Sequence, residues 1–157
     1  MKKLFKLLPL SFVLLVTAPL TACTGNVEDY IGSWKVDTSY ERTYKYYYGN
    51  RSTLEDHEVS GIPCGATITI NQDKSVIFNY PNGDEAVQGK LAFYFGQVYF
   101  RNLNFSNDYK FSLKNDGGQK KLIHSWDENK HGLEYTEKSR HIVLVYNSWI
   151  IEKMHWF

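Results

Sequence analysis

This chain of 157 residues carries 18 Lys and Arg against 17 Asp and Glu, and its charges are scattered singly along the sequence. That pattern excludes the clustered basic footprint needed to displace counterions from phosphates, so nucleic acid is not an expected partner. A 16% aromatic content with 12 Tyr, punctuated by Gly and Asn, favours strands over helices, and the length suits one domain around one core.

The first 23 residues read as an export signal. Lys2, Lys3 and Lys6 form a positive start, Leu7 to Leu20 is an apolar run, and Leu20-Thr21-Ala22-Cys23 closes it with small residues before a cysteine. A spanning helix needs about 20 apolar residues, and this run is shorter and broken by Pro9 and Pro19. The junction resembles the lipobox of bacterial lipoproteins. That resemblance implies that residues 1–22 are cleaved and that the thiol of Cys23 receives a diacylglyceryl group, making the membrane a partner through acylated Cys23. Each buried methylene contributes about 0.8 kcal/mol, so two or three chains anchor stably where one does not. In enteric-type lipoproteins a residue other than Asp after the cysteine, here Thr24, implies passage to the outer membrane. Only Cys64 then remains as a thiol in the mature chain, which excludes an intrachain disulfide, and a free Cys is expected to be small and buried.

Residues 23–29 are short and polar and read as a lipidated tether. At about 3.6 Å per extended residue, such a tether holds the domain within about 25 Å of the bilayer. The domain is expected over 30–157. Tyr40, Arg42, Tyr44, Tyr46 and Tyr48 share one parity and predict a strand with a tyrosine ladder, while Lys45 and Tyr47 face the other way. Asn50 to Gly65 reads as a long polar connection with Glu55, Asp56 and Glu58 around His57, and connections of that length are often functional.

Short alternating strands then follow one another. Ala66, Ile68 and Ile70 lead through Asn71-Gln72-Asp73-Lys74 to Val76, Phe78 and Tyr80, and Pro81-Asn82-Gly83-Asp84 turns into Leu91, Phe93 and Phe95. Gly96-Gln97 predicts a type II′ hairpin into Val98 to Leu103. Tyr109, Phe111 and Leu113 turn at Asn115-Asp116-Gly117-Gly118 into Leu122, His124 and Trp126. A short strand at Leu133 and Tyr135, a turn at Lys138-Ser139, a strand through Ile142, Leu144 and Tyr146, and a last run near Trp149 to Met154 complete the chain. The expected fold is an all-β antiparallel meander that closes into a barrel of about eight to ten strands, since closure removes exposed edges.

Gly32-Ser33-Trp34 at the head of the first strand, followed by this meander, resembles the lipocalin-like domains of bacterial envelope lipoproteins over most of residues 30–154. The resemblance implies a cup with Trp34 packed beneath a ligand cavity. Asn107-Asp108-Tyr109 matches two of the three residues of a second lipocalin motif, Thr-Asp-Tyr. Arg140 is poorly placed for the Arg that packs over the Trp, with Lys153 as a substitute. The residues expected at a ligand are Trp34, Tyr44, Tyr46, Phe93, Phe111 and Tyr135.

No constellation for catalysis, metal binding or a cofactor stands out. His124, His131, His141 and Glu134 match no ligand spacing, Asp84-Glu85 and Asp127-Glu128 lie in turns, and no helix follows Gly117-Gly118 to cradle a phosphate. The expectation is a non-enzymatic, lipid-anchored envelope protein that binds a small apolar or amphipathic ligand. The alternative is a protein-binding module, such as a periplasmic inhibitor or immunity lipoprotein, with the Glu55 to Glu58 loop entering a basic cleft of an envelope protein. A hollow barrel of about 300 to 1,000 Å³ favours the first and a filled one the second.

Overall fold

Alternating apolar residues separated by turns give nine strands in the computed structural model, which describes residues 25–128 and 130–147. A short 3-10 helix, Val27–Asp29, precedes β1 (Gly32–Tyr47), β2 (Asn50–His57), β3 (Thr67–Ile70), β4 (Ser75–Asn79) and β5 (Val87–Tyr94). Then come β6 (Gln97–Arg101), β7 (Ser112–Asp116), β8 (Gln119–Asp127) and β9 (Glu134–Tyr146). Eight of these lie in the antiparallel order β6-β5-β4-β3-β1-β9-β8-β7. The two ends of that path meet at one bridge instead of a full ladder. Val98 N–H donates to the Phe111 carbonyl at 2.9 Å and Phe111 N–H donates to that of Val98 at 2.7 Å. Beside them Gln97 Nε2 donates to Ser112 Oγ at 2.9 Å. The fold is the expected all-β meander, curled until its outer strands touch.

The space enclosed is filled. Trp34, Val36, Ile68, Ile70, Val76, Phe78, Leu91, Val98, Phe100, Phe111, Leu122, Ile142 and Leu144 all point inward and are buried in one cluster. Trp34 is 0% exposed, donates its indole N–H to the Tyr30 carbonyl at 2.8 Å, and meets the edge of the Tyr146 ring at 5.1 Å. Tyr146 thus packs its ring against the tryptophan at the floor of the core. Val59, Ile62 and Phe105 close the same core from the loops.

β1 is longer than the barrel it helps to build. One of its edges carries β9 from Trp34 to Tyr47, while the other carries β3 only over Gly32 to Lys35 and then β2 over Glu41 to Tyr47. β8 stops pairing at Ser139, so from Thr43 onward β1, β2 and β9 continue alone as a three-stranded arm. At about 3.4 Å per residue, the five positions from Thr43 to Tyr47 extend it by about 17 Å.

Several local expectations are corrected. Asn50 to Gly65 is not one long connection: its first eight residues are β2, folded back on β1. None of those eight is buried, so the strand carries no apolar alternation by which to announce itself. Lys138-Ser139 is not a turn but lies within β9, which runs unbroken from the arm into the barrel. Within the segment 23–29, expected to be a free tether, Gly25 lies against the Phe93 ring and Val27 packs on the core. The anticipated run from Trp149 to Met154, and Lys153 with it, lies outside the described residues.

The β5–β6 hairpin turns at Phe95-Gly96, with φ of +44° and +76°, which is the type I′ signature and not the type II′ turn expected at Gly96-Gln97. The β1–β2 hairpin repeats it at Tyr48-Gly49, with φ of +46° and +82°. An aromatic residue in the left-handed region is uncommon, because its Cβ crowds the following carbonyl at a cost of about 1–2 kcal/mol. Here two such residues sit exposed at hairpin tips, Tyr48 at 64% and Phe95 at 71%. Asn tolerates that conformation far better. Phe95→Asn and Tyr48→Asn are each expected to raise stability by about 0.5–1 kcal/mol in urea unfolding, and a loss of stability would contradict the turn assignment.

Candidate functional site: an aromatic arm outside a filled barrel

One inserted residue decides which side chains reach the core. Between Val36, paired with Leu144, and Thr38, paired with Val143, Asp37 is extra and forms a β-bulge. Even-numbered residues point inward before it, as Trp34 and Val36 do, and odd-numbered ones after it, beginning with Ser39. Tyr40, Arg42, Tyr44 and Tyr46 are therefore carried to the outer face, where Tyr44 is nonetheless buried, 7% exposed, with Arg51 over its ring. The bulge lies where β1 exchanges β3 for β2, so the same irregularity that frees the arm also turns its tyrosines outward.

On that outer face the register stacks rows of side chains across the three strands. Arg51, Tyr46 and Tyr135 form one row, and Thr53, Tyr44 and Glu137 the next. The Tyr46 and Tyr135 rings stack at 4.5 Å with an 11° tilt, and the Arg51 guanidinium lies 3.5 Å over the Tyr44 ring centre. Arg42 covers Tyr40 at 3.9 Å and pairs with Asp56 at 2.9 Å. Burial pushes the Tyr46 phenol pKa up, and Glu137 and Tyr135 add to the rise while Arg51 opposes it. At the tip Tyr48 N–H donates to the Leu133 carbonyl at 2.7 Å, the Tyr47 and Tyr48 rings meet edge to face at 4.7 Å, and Leu133 is 68% exposed.

The inward side of the arm's base carries a different cluster. Arg140, the register partner of Glu41, donates Nε to Glu41 Oε2 at 2.8 Å and Nη2 to the same oxygen. Its guanidinium lies 4.6 Å from the Tyr109 ring centre and 5.5 Å from that of Trp126. Behind it His124, 7% exposed, pairs Nδ1 with the Lys110 carbonyl at 3.0 Å, which places the proton on Nδ1 and leaves the buried Nε2 without a hydrogen-bond partner among the described residues. Burial lowers the His124 pKa, and the charges of Arg140, His141 and Lys110 lower it further, against the hydrogen bond to the Lys110 carbonyl. The folded state thus resists a proton that the unfolded chain accepts near pH 6.5. Stability from this group is complete above that value and is lost as pH falls toward the lower folded pKa. His124→Asn keeps a donor for Lys110 but no titration, so its melting temperature is expected to fall less than the wild type's between pH 7.5 and 5.5. Parallel curves would contradict the assignment.

The six residues expected at a ligand are split by the barrel wall. Trp34 and Phe111 are filled into the core, and Phe93 closes its lower end against Tyr30 at 5.7 Å. Tyr44, Tyr46 and Tyr135 come together on the opposite side of the wall, on the arm. They do not form one cavity. Cys23 lies outside the described residues. Tyr47 and Tyr48 of the expected tyrosine strand and Leu133 complete the arm, together with Arg51, which was not foreseen and whose signal was Tyr48-Gly49 between two stretches of matching length.

Clefts open on the outside of the wall. One of about 680 Å³ is lined by Tyr94, Tyr99, Arg101, Asn107, Asp108 and Lys110, and another of about 640 Å³ includes Lys35, Asp37, Cys64 and Gln119. Cys64 is exposed, not buried as expected, and its thiol pKa is raised by desolvation and by Glu58, the reverse of an activated nucleophile. The acidic residues expected to form an insertion loop are engaged within the molecule: Asp56 with Arg42, and Glu58 accepting the Cys64 N–H at 3.0 Å. His124 faces inward while His141 faces outward, where its Nδ1 is 3.0 Å from Ser125 Oγ. Among the described residues no three His, Cys, Asp or Glu side chains gather as a metal site would require, and no helix is long and apolar enough to cross a membrane.

Compared with known proteins, the chain matches no family model, no curated protein and no solved structure, so its own geometry carries the functional argument.

Proposed function

We propose that this chain is a lipid-anchored protein of the bacterial envelope whose filled barrel presents a tyrosine-rich arm to another protein. The observation that carries this reading is the outer-face row of Tyr46 and Tyr135, stacked beside a Tyr44 covered by Arg51, combined with a barrel interior occupied by its own side chains. Ligand binding within the barrel would require the core to be displaced. The arm instead offers tyrosines, an arginine stacked on them and a leucine at the tip. Aromatic residues and Arg are enriched where proteins meet, because they bring large contact area with little rotamer loss. Arg42 with Asp56 at 2.9 Å gives the tyrosine face a polar border of the kind that surrounds such contacts. The lipobox-like junction at Cys23 supports an encounter at a membrane surface.

The test is capture from envelope extract with two variants beside the wild type. Tyr46→Ala/Tyr135→Ala removes the stacked pair, which lies outside the core, and is expected to weaken a stoichiometric protein partner by about 10- to 100-fold. Phe95→Asn, at the other end of the barrel, is expected to keep it. A partner held equally by both variants would place the contact elsewhere.

A further inference from the structure

The second strained aromatic tip lies at the barrel end where the chain enters the fold. β5 runs antiparallel to β4 and β1 antiparallel to β3, so the β3–β4, β5–β6 and β7–β8 turns share one end, while Tyr48 and the arm occupy the other. Gly25 is fixed against the Phe93 ring, two residues from Phe95. Cys23 is two residues before Gly25, a span of at most about 7 Å. Whatever holds Cys23 therefore holds this end of the barrel close by.

That end has the composition of a surface that meets lipid. Phe95 is 71% and Tyr94 50% exposed, their rings edge to face at 4.8 Å. Around them stand cations: Lys110 at 5.5 Å from the Tyr94 ring centre and 4.4 Å from that of Tyr99, Lys74 at 5.4 Å from Phe93, and Lys120 at the β7–β8 turn. The acids nearby are partly engaged, Asp73 by Ser75 and Asp116 by Lys121, while Glu28 and Asp29 lie on the short 3-10 helix. Aromatic side chains with one apolar body favour the headgroup layer, and lysines beside them meet anionic lipid.

We propose that this end of the barrel rests on the bilayer, with Phe95 and Tyr94 entering the headgroup layer and Lys74, Lys110 and Lys120 facing lipid phosphates. The proposal rests on the anchoring of Cys23 put forward above. The acyl chains alone leave orientation free, and the hairpin supplies a second contact that fixes it. The barrel then stands on the membrane with the arm pointing away, where a protein partner can reach it. The strain at Phe95 is retained because an aromatic at that tip serves the membrane contact.

The test uses the full-length lipoprotein in vesicles of phosphatidylethanolamine and phosphatidylglycerol. 4-Fluorophenylalanine is placed at residue 95 or, in a separate sample, at residue 48, and its fluorine resonance is relaxed by dissolved oxygen or by a water-soluble gadolinium chelate. The expected result is relaxation by the chelate several-fold weaker at residue 95 than at residue 48, with oxygen showing the opposite order. Equal access of the chelate to both tips, with the protein still on washed vesicles, would overturn the proposal alone. Loss of the protein from washed vesicles would overturn the anchoring on which it rests. Lys74→Gln/Lys120→Gln is expected to raise chelate access at residue 95 without releasing the protein, and unchanged access would remove the lysines from the contact.

Discussion

Deletion of Asp37 together with Thr38 is expected to abolish the native fold, although neither residue belongs to the core. Deletion of Asp37 alone removes only the extra residue: Val36 stays opposite Leu144 and Thr38 opposite Val143, so every following side chain keeps its face and a cooperative fold is expected. When Thr38 is lost as well, β1 beyond Val36 pairs with β9 one position out of step, and every following side chain changes face. Tyr40, Arg42 and Tyr44 then turn inward against a core already filled by Ile142 and Leu144. Ser39, Glu41 and Thr43 turn out, and the Glu41 to Arg140 pair is broken. Burying a guanidinium without a partner costs several kcal/mol, and overpacking adds about 1–3 kcal/mol more, which together approach the whole stability of a domain. Asp37→Ala keeps the bulge and is expected to change stability by about 0.5 kcal/mol or less. Circular dichroism and urea unfolding of the single and double deletions distinguish the effects. A double deletion that unfolds cooperatively at the wild-type midpoint would show that pairing with β9 does not set which face each β1 side chain takes.

Trp34→Ala is expected to be the most damaging single substitution in the barrel. The side chain is fully buried, so truncation forfeits its transfer free energy and leaves a cavity, at a cost of about 3–5 kcal/mol. It also orphans the Tyr30 carbonyl, which holds the first described turn of chain against the barrel. Trp34→Phe retains a ring against Tyr146 and loses the indole donor, for which about 1–2 kcal/mol is expected. Urea midpoints at constant slope give both values. A Trp34→Ala cost below about 1 kcal/mol would mean that this end of the barrel is not the packed floor described.

Strands whose one face is buried were legible in the sequence, because alternation at Ile68, Ile70, Val76, Phe78, Leu122 and Leu144 reports a core directly. β2 was not, since a fully exposed strand is held by register and a hairpin and carries no apolar period. The break expected at Lys138-Ser139 was misplaced for a related reason: β9 passes from the arm, where neither face is covered, into the barrel, and its pattern changes with its surroundings. Among the site residues, Trp34 and Phe111 were recognised as inward. Tyr44, Tyr46 and Tyr135 were grouped with Trp34 and Phe111 as residues at a ligand, but the Asp37 bulge puts the two β1 tyrosines on the face opposite to Trp34, with Tyr135 beside them. A bulge leaves almost no local signature, and one inserted residue reverses every assignment after it. The turn at Phe95-Gly96 was missed because its first position carries Phe, where type I′ turns favour Asn, Asp or Gly.

The central claim is that binding happens on the arm and not inside the barrel. Native mass spectrometry of the full-length protein, gently extracted from envelope membranes, tests it most directly. The account predicts a complex with one protein partner, lost in Tyr46→Ala/Tyr135→Ala, and no small-molecule adduct beyond the mass of the acyl anchor. A small apolar molecule retained at unit stoichiometry by both the wild type and the arm variant, with no protein partner, would contradict it.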